Sequence, residues 1–475
     1  MPKSYKKLAL SELYFKLGEL YKRYESFRAR GFKLDMSRGK PSPEQLSLSD
    51  GLFSVIDEKN CFSSDGTDAR NYGALAGLGE AKRMFAELCG VDETQTLIGG
   101  NSSLEMMYDA VVCAMLFGVD EESPPWIKQG KIKFLCPSPG YDRHFAICQA
   151  LDIEMIPVAM TDDGPDMNEV ERLVALDRTV KGIWCVPKYS NPTGAVYSDE
   201  TIQRFAAIDA AAGDFRIFWD NAYIIHDLYR PIGQKNIFSL IRGTKNENTV
   251  YEFVSTSKMT FPGAGVAAMI SSQKNISYAL KPLGVKTISY DKINQLRHAL
   301  FFADSDSLYR HMRRHAELLT PKFELVLSVL SEELEGLNIA EWTIPKGGYF
   351  ISLDVLPHTA RKVWELCNNA GLKLTDAGAT FPYGKDPFDR NLRIAPSYPK
   401  RDELKIAAEI LCVCVKLAAA EKIIHDKEAD NEDSSSCGRA ESGKGRFALI
   451  RRHDRHRTFK ARPYRRIRRR VSRDR

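Results

Sequence analysis

The stretch Tyr251–Gly265 reads Tyr-Glu-Phe-Val-Ser-Thr-Ser-Lys-Met-Thr-Phe-Pro-Gly-Ala-Gly. Its first residues are apolar enough for a buried strand, and Lys258 follows among small hydroxyl residues and glycines. Taken alone, the stretch is better explained as a solvated loop. The alternative is a reactive amine above a loop whose hydroxyls and backbone amides can bind an anion.

Two further apolar runs end in polar side chains that could act with this amine. Phe215–Trp219 leads into Asp220, and Gly182–Val186 leads to Asn191 in the turn Asn-Pro-Thr-Gly. An aspartate in this position is often a helix N-cap, and Asn-Pro-Thr-Gly is ordinary turn chemistry. Because ligands of open α/β sheets bind beyond the carboxyl ends of the strands, the order Asn191, Asp220, Lys258 favours one shared site.

These groups match the needs of pyridoxal phosphate. The cofactor requires an amine for its aldehyde, an anion for its ring nitrogen, a hydrogen bond to its ring hydroxyl and a cradle for its phosphate. Lys258, Asp220 and Asn191 meet the first three needs. For the fourth, Gly99–Glu105 places glycines before a helix that Ser102 can cap, so free amides face an anion. A capped helix without a ligand would explain that segment alone.

Over about residues 34–415 the chain resembles fold-type I, class I pyridoxal-phosphate aminotransferases. The Asn-Pro-Thr-Gly turn, the Asp-x-Ala-Tyr step that begins at Asp220 and the Ser-x-Ser-Lys loop that ends at Lys258 occur in the family's order and at similar spacing. Asp35–Pro41 and Asn71–Gly77 resemble a bacterial subgroup called MocR-like aminotransferases. Some members of that subgroup act as aspartate aminotransferases.

The resemblance implies roles for the matching residues. Lys258 is expected to carry the Schiff base and move the proton, with Asp220 and Tyr223 as the other catalytic residues. The further cofactor-binding positions are expected to be Asn191 and Tyr223 at the ring oxygen, Tyr141 stacked on the ring, Asn101, Ser102, Ser103, Ser255 and Ser257 at the phosphate, and Tyr72 at the phosphate of the neighbouring subunit's site. A homodimer follows from the last of these.

The substrate is expected to bind through arginines. The resemblance assigns the α-carboxylate to Arg393, with Gly39 and Asn191 beside it, and a planar guanidinium suits a carboxylate because it can form two parallel hydrogen bonds. A dicarboxylic substrate needs a second cation. Arg297 is the first candidate for that cation, although an unplaced arginine is usually a surface residue. The candidates behind it are Arg38 and Lys40.

One position departs from the family. Many members have a phosphate-binding arginine eight residues after the Schiff-base lysine, and this chain has Val266 there. The phosphate is therefore expected to depend more on hydroxyls, helix amides and another cation.

The composition argues against a membrane protein, a secreted protein and a zinc protein. The 475 residues are 43% hydrophobic, and no apolar run approaches the roughly 20 residues of a membrane helix. No signal peptide is recognised, and the ten cysteines show neither a CxxC pair nor zinc-site spacing. We therefore expect a cytoplasmic enzyme that acts on small molecules, with no membrane or metal and no nucleic-acid partner.

The net charge of +6 comes from one end of the chain. Residues 439–475 hold 16 Lys or Arg against 3 Asp or Glu, a net of +13, and the rest holds 52 against 59, a net of −7. Such a tail can bind nucleic acid or anionic membrane. It can equally be a disordered appendage or the product of a shifted reading frame, and disorder without a dedicated function is the preferred interpretation.

The pattern of elements predicts an α/β protein of the pyridoxal-phosphate-transferase type I fold. Residues 51–290 alternate short apolar strands with helical segments, which predicts a large cofactor-binding domain with a mostly parallel, seven-stranded-type sheet. Residues 291–426 are expected to form a smaller α+β domain, against which the helix and arm of residues 1–50 pack. Residues 427–475 form the expected basic tail.

The leading functional hypothesis is a transaminase that moves an amino group from an L-amino acid, aspartate above others, to a 2-oxo acid such as 2-oxoglutarate by ping-pong kinetics. A second hypothesis is another pyridoxal-phosphate reaction, such as β-elimination from a cysteine conjugate, since one fold supports many reactions. A third, ranked low, is a cofactor-binding transcription regulator. It would need a DNA-binding domain before Arg38, where only one helix is predicted.

Overall fold

The computed structural model of the chain describes residues 4–440, with side chains through residue 431. The strands are β1 (Leu34–Asp35), β2 (Thr96–Ile98), β3 (Lys133–Ser138), β4 (Glu154–Thr161), β5 (Gly164–Pro165), β6 (Val180–Cys185), β7 (Arg216–Asp220), β8 (Val250–Ser255), β9 (Ala267–Ile270), β10 (Ala340–Trp342), β11 (Ile351–Val355), β12 (Leu372–Lys373) and β13 (Asn391–Ile394). The helices are α1 (Leu10–Ala29), α2 (Pro43–Ser47), α3 (Gly79–Cys89), α4 (Ser103–Phe117), α5 (Asp142–Ala150), α6 (Met167–Leu176), α7 (Asp199–Ala206), α8 (Ile237–Ile241), α9 (Gln273–Lys286), α10 (Lys292–Phe301), α11 (Ser305–Leu334), α12 (Ala360–Asn369) and α13 (Arg401–Ala440).

Eight strands form one sheet in the order β2-β9-β8-β7-β6-β3-β4-β5. The five strands from β8 to β4 pair in parallel, β9 runs antiparallel to both of its neighbours, and β5 turns back against β4. Strands β6, β7 and β8 are buried along their whole length, as in a sheet covered on both faces. The expected α/β class with a mostly parallel sheet is confirmed, and the count rises to eight because of the two-residue strand β5.

The remaining strands form smaller sheets. Strands β10, β11 and β13 pair antiparallel, and β1 pairs in parallel with β12. Helix α1 packs into the same hydrophobic core as α11, α12 and α13, and the hydroxyl of Tyr24 donates to the carbonyl of Leu366 at 3.0 Å. The N-terminal helix thus lies against the later part of the chain, and Gly31 after it has a left-handed conformation, with φ +62°. The domain boundaries at 50, 290 and 426 stay predictions.

The chain forms a compact unit up to His425, and helix α13 continues to Ala440. The first residues of the expected tail, 427–440, are therefore helical. The prediction for residues 441–475 concerns residues outside those that the structure describes. Within residues 4–440, no helix combines the length and the apolar character that spanning a bilayer requires.

Two buried histidines make the folded protein sensitive to acid. Burial lowers the pKa of His298 to about 4 and that of His315 to about 3, from an ordinary value of 6.5. Below pH 6.5 the unfolded chain takes up protons that the folded chain does not, so stability present above pH 6.5 is lost as the pH falls. Each histidine should contribute a loss of about 1.4 kcal/mol per pH unit.

Urea unfolding at pH 7.5 and pH 5 measures this effect. We expect His298→Gln to show a weaker pH dependence of the urea midpoint than the unaltered protein, because glutamine does not titrate. Equal pH dependence in the two proteins would contradict the assignment of His298 as a buried neutral group.

Candidate active site

A cavity of about 330 Å³ lies at the carboxyl ends of β6, β7 and β8. It is lined by nine of the residues proposed from the sequence: Arg38, Gly39, Lys40, Tyr141, Asn191, Asp220, Tyr223, Lys258 and Arg393. A second cavity of about 300 Å³, between α4 and α9, has mostly apolar walls and includes none of the nine. The first cavity is the candidate active site, because the reactive side chains converge there.

Asp220 ends β7 and is buried, with 4% of its surface exposed. Its Oδ2 accepts a hydrogen bond from Nε2 of His144 at 3.0 Å, and the His144 ring stacks on Trp184 with centroids 4.5 Å apart. Its Oδ1 is buried and has no hydrogen-bond partner among the described residues. A buried carboxylate oxygen without a partner is costly, so this side of the cavity suits a cation or a strong donor.

Lys258 follows β8, the strand that pairs with β7, and lines the same cavity as Asp220. Its Nζ is 4.7 Å from the centre of the Tyr223 ring. Burial lowers the pKa of Lys258, and the negative charge of Asp220 acts in the opposite direction. A lysine with a lowered pKa is a better nucleophile and proton acceptor near neutral pH than an exposed lysine.

Asn191 and Tyr223, the predicted donors to a ring oxygen, both line the cavity. The Oδ1 of Asn191 accepts from Nη1 of Arg393 at 3.3 Å, which leaves its NH₂ group to donate to a ligand. Tyr223 is buried, and burial raises the pKa of its hydroxyl well above the ordinary value. The hydroxyl is therefore protonated at neutral pH and available as a donor.

Arg393 lies on β13 and is held from several directions. Its Nη1 is 2.8 Å from Oδ1 of Asp142, and its Nε and Nη2 donate to the hydroxyl of Thr375 at 3.3 and 3.2 Å. Its guanidinium carbon also sits 4.9 Å from the centre of the Phe350 ring. These contacts fix the plane of the guanidinium at the cavity wall, as two-point binding of a carboxylate requires.

Gly39 brings main chain close to the same arginine. A Cβ atom at this position would come within 2.5 Å of Cζ of Phe350, so a larger residue would have to displace the ring under Arg393. The absence of a side chain therefore opens the cavity wall to the backbone amide of residue 39.

The proposed phosphate residues gather at the start of α4. The hydroxyl of Ser255 donates to that of Ser257 at 3.0 Å, and Ser257 donates to the carbonyl of Asn101 at 3.1 Å. Ser102 caps α4, where its Oγ accepts from the amide of Glu105 at 3.3 Å, and Ser103 begins the helix. Hydroxyls from two separate segments thus meet at one helix N-terminus, a favourable place for an anion.

Val266 supplies no charge to this group. It is buried in the core beneath the sheet, and its amide donates to the hydroxyl of Thr256 at 2.9 Å. The expectation that hydroxyls and helix amides carry the phosphate is consistent with these contacts.

Seven proposed residues lie outside the cavity lining: the five polar residues at the start of α4 described above, Arg297 and Tyr72. Arg297 donates to Oδ1 of Asn294, and Tyr72 lies on a loop with 78% of its surface exposed. The roles of the proposed site residues stay predictions. Arg143, which sequence reasoning missed, does line the cavity together with Arg38 and Lys40.

Comparison with known proteins decides the family. The sequence model described as aspartate amino-transferase matches residues 8–427. This chain is a member of the aspartate aminotransferase family. A protein from Mycolicibacterium smegmatis is 49% identical to this aminotransferase over 407 residues, which cover 85% of this chain and 95% of the relative. The aspartate aminotransferase of Corynebacterium glutamicum is 43% identical over 404 residues, which cover 85% and 93%.

A solved structure agrees with this assignment. The crystal structure of an aspartate transaminase from Corynebacterium glutamicum aligns with a TM-score of 0.86 and 41% identity, covering 88% of this aminotransferase and 99% of that chain. The transaminase activity and the type I fold expected from the sequence are therefore confirmed. Membership of the MocR-like subgroup stays a prediction.

Proposed function

We propose that this aminotransferase binds pyridoxal 5'-phosphate in the cavity at Lys258 and transfers the amino group of L-aspartate to 2-oxoglutarate. The observation that carries the proposal is the buried, unpartnered Oδ1 of Asp220 beside a lysine of lowered pKa. A protonated pyridine nitrogen would give that oxygen the cationic partner it lacks. The site residues therefore fit the cofactor.

Different residues of this chain would bind the ring nitrogen, the ring oxygen and the phosphate of the cofactor. Asp220 would pair with the ring nitrogen, and His144 hydrogen-bonds to the other carboxylate oxygen of Asp220. Asn191 and Tyr223 would donate to the ring oxygen, and Tyr141 would lie against the ring. Amides at the start of α4 would hold the phosphate together with a set of small polar side chains: Asn101, Ser102, Ser103, Ser255 and Ser257.

Other residues act on the substrate. Arg393, with the amide of Gly39, binds the α-carboxylate and turns the Cα–H bond toward Lys258. When bound, pyridoxal phosphate supplies the electron sink that makes this proton acidic. Lys258 would accept this proton, and the burial that lowers the pKa of its amine favours the neutral form that a base requires.

A second carboxylate on the substrate requires a further cation in the cavity. Arg143, at the start of α5, lines the cavity and makes no hydrogen bond or ion pair with any residue that the structure describes. Arg38 lines the cavity in the same way, whereas the ammonium of Lys40 lies 3.7 Å from the centre of the Tyr398 ring. Arg143 therefore takes precedence over Arg297 as the residue that selects dicarboxylic substrates.

Replacing Arg143 by glutamine should reduce kcat/KM for aspartate by about 10- to 100-fold, since a hydrogen bond to a charged group contributes about 1.5–3 kcal/mol. The value for alanine, which has no second carboxylate, should change by less than about threefold. Steady-state kinetics with both amino donors measure the difference.

Arg297→Gln is the matched control, because it removes a guanidinium that lies outside the cavity lining. It should leave the preference for aspartate unchanged. If Arg297→Gln lost aspartate activity and Arg143→Gln did not, Arg297 would be the residue that binds the second carboxylate. It would then act in the cavity of the neighbouring subunit of a homodimer.

Product analysis tests the proposed reaction itself. Purified protein with pyridoxal phosphate, aspartate and 2-oxoglutarate should form oxaloacetate and glutamate in equal amounts. A cysteine conjugate without any oxo acid should give neither pyruvate nor ammonia. If the second reaction gave pyruvate and ammonia and the first gave no glutamate, the proposal of aspartate transamination would be wrong and β-elimination would be the reaction.

Two further proposals concern the setting of the enzyme. A homodimer would bring the exposed Tyr72 of each subunit to the phosphate of the other, consistent with its distance from its own cavity lining. A cytoplasmic location is supported by the nine cysteines of the described residues, all of which are free thiols.

A further inference from the structure

Beneath the main chain of Lys258 lies a buried polar cluster that transamination chemistry does not use directly. It consists of Gln45 on α2, His311 and His315 on α11, and Tyr349 before β11, and we call it the lysine-anchor network. All four side chains are at least nine-tenths buried. Polar groups are costly to bury, so a cluster of this size next to the reactive lysine calls for an explanation.

The network holds two consecutive carbonyl groups. The hydroxyl of Tyr349 donates to the carbonyl of Lys258 at 3.4 Å, and Nε2 of His311 lies 2.8 Å from the carbonyl of Met259. Because a carbonyl oxygen only accepts, His311 carries its hydrogen on Nε2. Tyr349, before β11, and His311, on α11, therefore both hydrogen-bond to the main chain at Lys258 and Met259.

The same cluster continues to the N-terminal segment. The amide nitrogen of Gln45 donates to the hydroxyl of Tyr349 at 3.0 Å and to Nδ1 of His315 at 3.1 Å. The ring nitrogens of His315 and His311 are 3.1 Å apart. On its other side, Oε1 of Gln45 accepts from the amide of Ser42 at 3.1 Å. Gln45 therefore connects the start of α2 to Tyr349, the donor that holds the carbonyl of Lys258, and to His315, which packs against His311.

The start of α2 has functional significance because the segment just before it lines the active site. Arg38, Gly39 and Lys40 face the cavity, and the carbonyl of Lys40 accepts from the hydroxyl of Ser397 at 2.9 Å. Only two residues separate Lys40 from the first residue of α2. The main chain from Lys40 to Ser42, followed by hydrogen bonds through Gln45 and Tyr349, thus joins this cavity wall to the backbone of Lys258.

We propose that Gln45, His311, His315 and Tyr349 are positioning residues that hold the Lys258–Met259 backbone in register with the Arg38–Lys40 wall. This inference rests on the proposed function of Lys258. During turnover the lysine amine must detach from the cofactor and reach the substrate's Cα, while the main chain stays in place. Because misplacement by about 1 Å can cost about 100-fold in rate, an anchor for that main chain has catalytic value.

Tyr349→Phe tests the proposal, since it removes one hydroxyl and keeps the ring. Tyr251→Phe is a closely matched control. The hydroxyl of Tyr251 is also buried, also donates to a carbonyl at 3.4 Å, that of Val119, and also accepts one hydrogen bond, from Arg216 at 3.3 Å. Tyr251 lies outside the active-site cavity, so the control loses comparable hydrogen bonds without touching the lysine loop.

We expect Tyr349→Phe to lower kcat by about 10- to 100-fold with little change in KM for aspartate. The pH titration of the bound cofactor's visible absorbance should move upward by about 0.5 to 1 unit, because a loosened loop admits solvent and favours the protonated nitrogen. The titratable groups that act on Lys258, Asp220 and His226, are unchanged in this variant. Tyr251→Phe should alter neither property.

Gln45→Met provides a second variant of similar size at the far end of the network. It should change kcat and the absorbance titration in the same direction as Tyr349→Phe. If both variants matched Tyr251→Phe in kcat and titration while melting at a lower temperature, the network would be structural only and the inference would be wrong. Failure of the unaltered protein to bind cofactor or transaminate would instead refute the proposed function.

Discussion

Replacing Lys258 by alanine should lower the rate of amino transfer by at least about 10⁴-fold, which is the upper range for loss of a positioned general base. The loss combines two roles, because the same amine holds the cofactor aldehyde and moves the substrate proton. No other described lysine that lines the cavity can substitute, since Lys40 is directed to the ring of Tyr398. Single-turnover measurement with aspartate gives the rate directly.

Lys258→Arg distinguishes the positive charge of the lysine from its ability to transfer a proton. Arginine keeps a cation at the same place, but its pKa above 12 leaves it unable to accept a proton at neutral pH. We expect it to be about as inactive as Lys258→Ala. Activity within tenfold of the unaltered protein in either variant would show that another group moves the proton.

Replacing Asp220 by asparagine should lower kcat by about 100- to 1000-fold, the usual cost of removing one preorganised electrostatic contact at a reacting centre. Asparagine keeps the shape of the side chain and can still bond His144, so the change is mainly the loss of negative charge. Without that charge the pKa of the ring nitrogen falls and its protonated form is less populated. A neutral ring withdraws electrons from the substrate's Cα less strongly.

Asp214→Asn is the control for removing a buried carboxylate. Asp214 pairs with Lys181 and accepts from Trp126 at 3.0 Å, away from the cavity. It should cost stability, measured by urea unfolding, and leave kcat unchanged. If Asp220→Asn kept kcat and lost only stability, Asp220 would be a structural carboxylate.

Sequence reasoning succeeded where local patterns determine position. The runs before Asn191, Asp220 and Lys258 are mostly apolar, and such runs form buried parallel strands whose carboxyl ends lie together. For the same reason the three side chains converge on one cavity in the structure. The helix after Ser102 followed from its capping residue and apolar pattern, and it occupies Ser103–Phe117.

The residues that reasoning missed depend on packing between distant segments. His144 reaches Asp220 across 76 positions of sequence, and Tyr349 reaches Lys258 across 91. No local sequence pattern around a histidine in a helix or a tyrosine before a strand predicts contacts with such distant residues. Arg143 was passed over for Arg297 because nothing in a sequence indicates which arginine turns toward a cavity.

The visible absorption spectrum of the purified protein shows whether Lys258 binds the cofactor and whether aspartate reacts with it. With pyridoxal phosphate supplied, we expect an absorbance band of lysine-bound cofactor that fades when aspartate is added and returns when 2-oxoglutarate follows. A spectrum of free cofactor alone, unchanged by either substrate and identical in Lys258→Ala, would contradict the assignment of Lys258 and Asp220 as the centre of the active site.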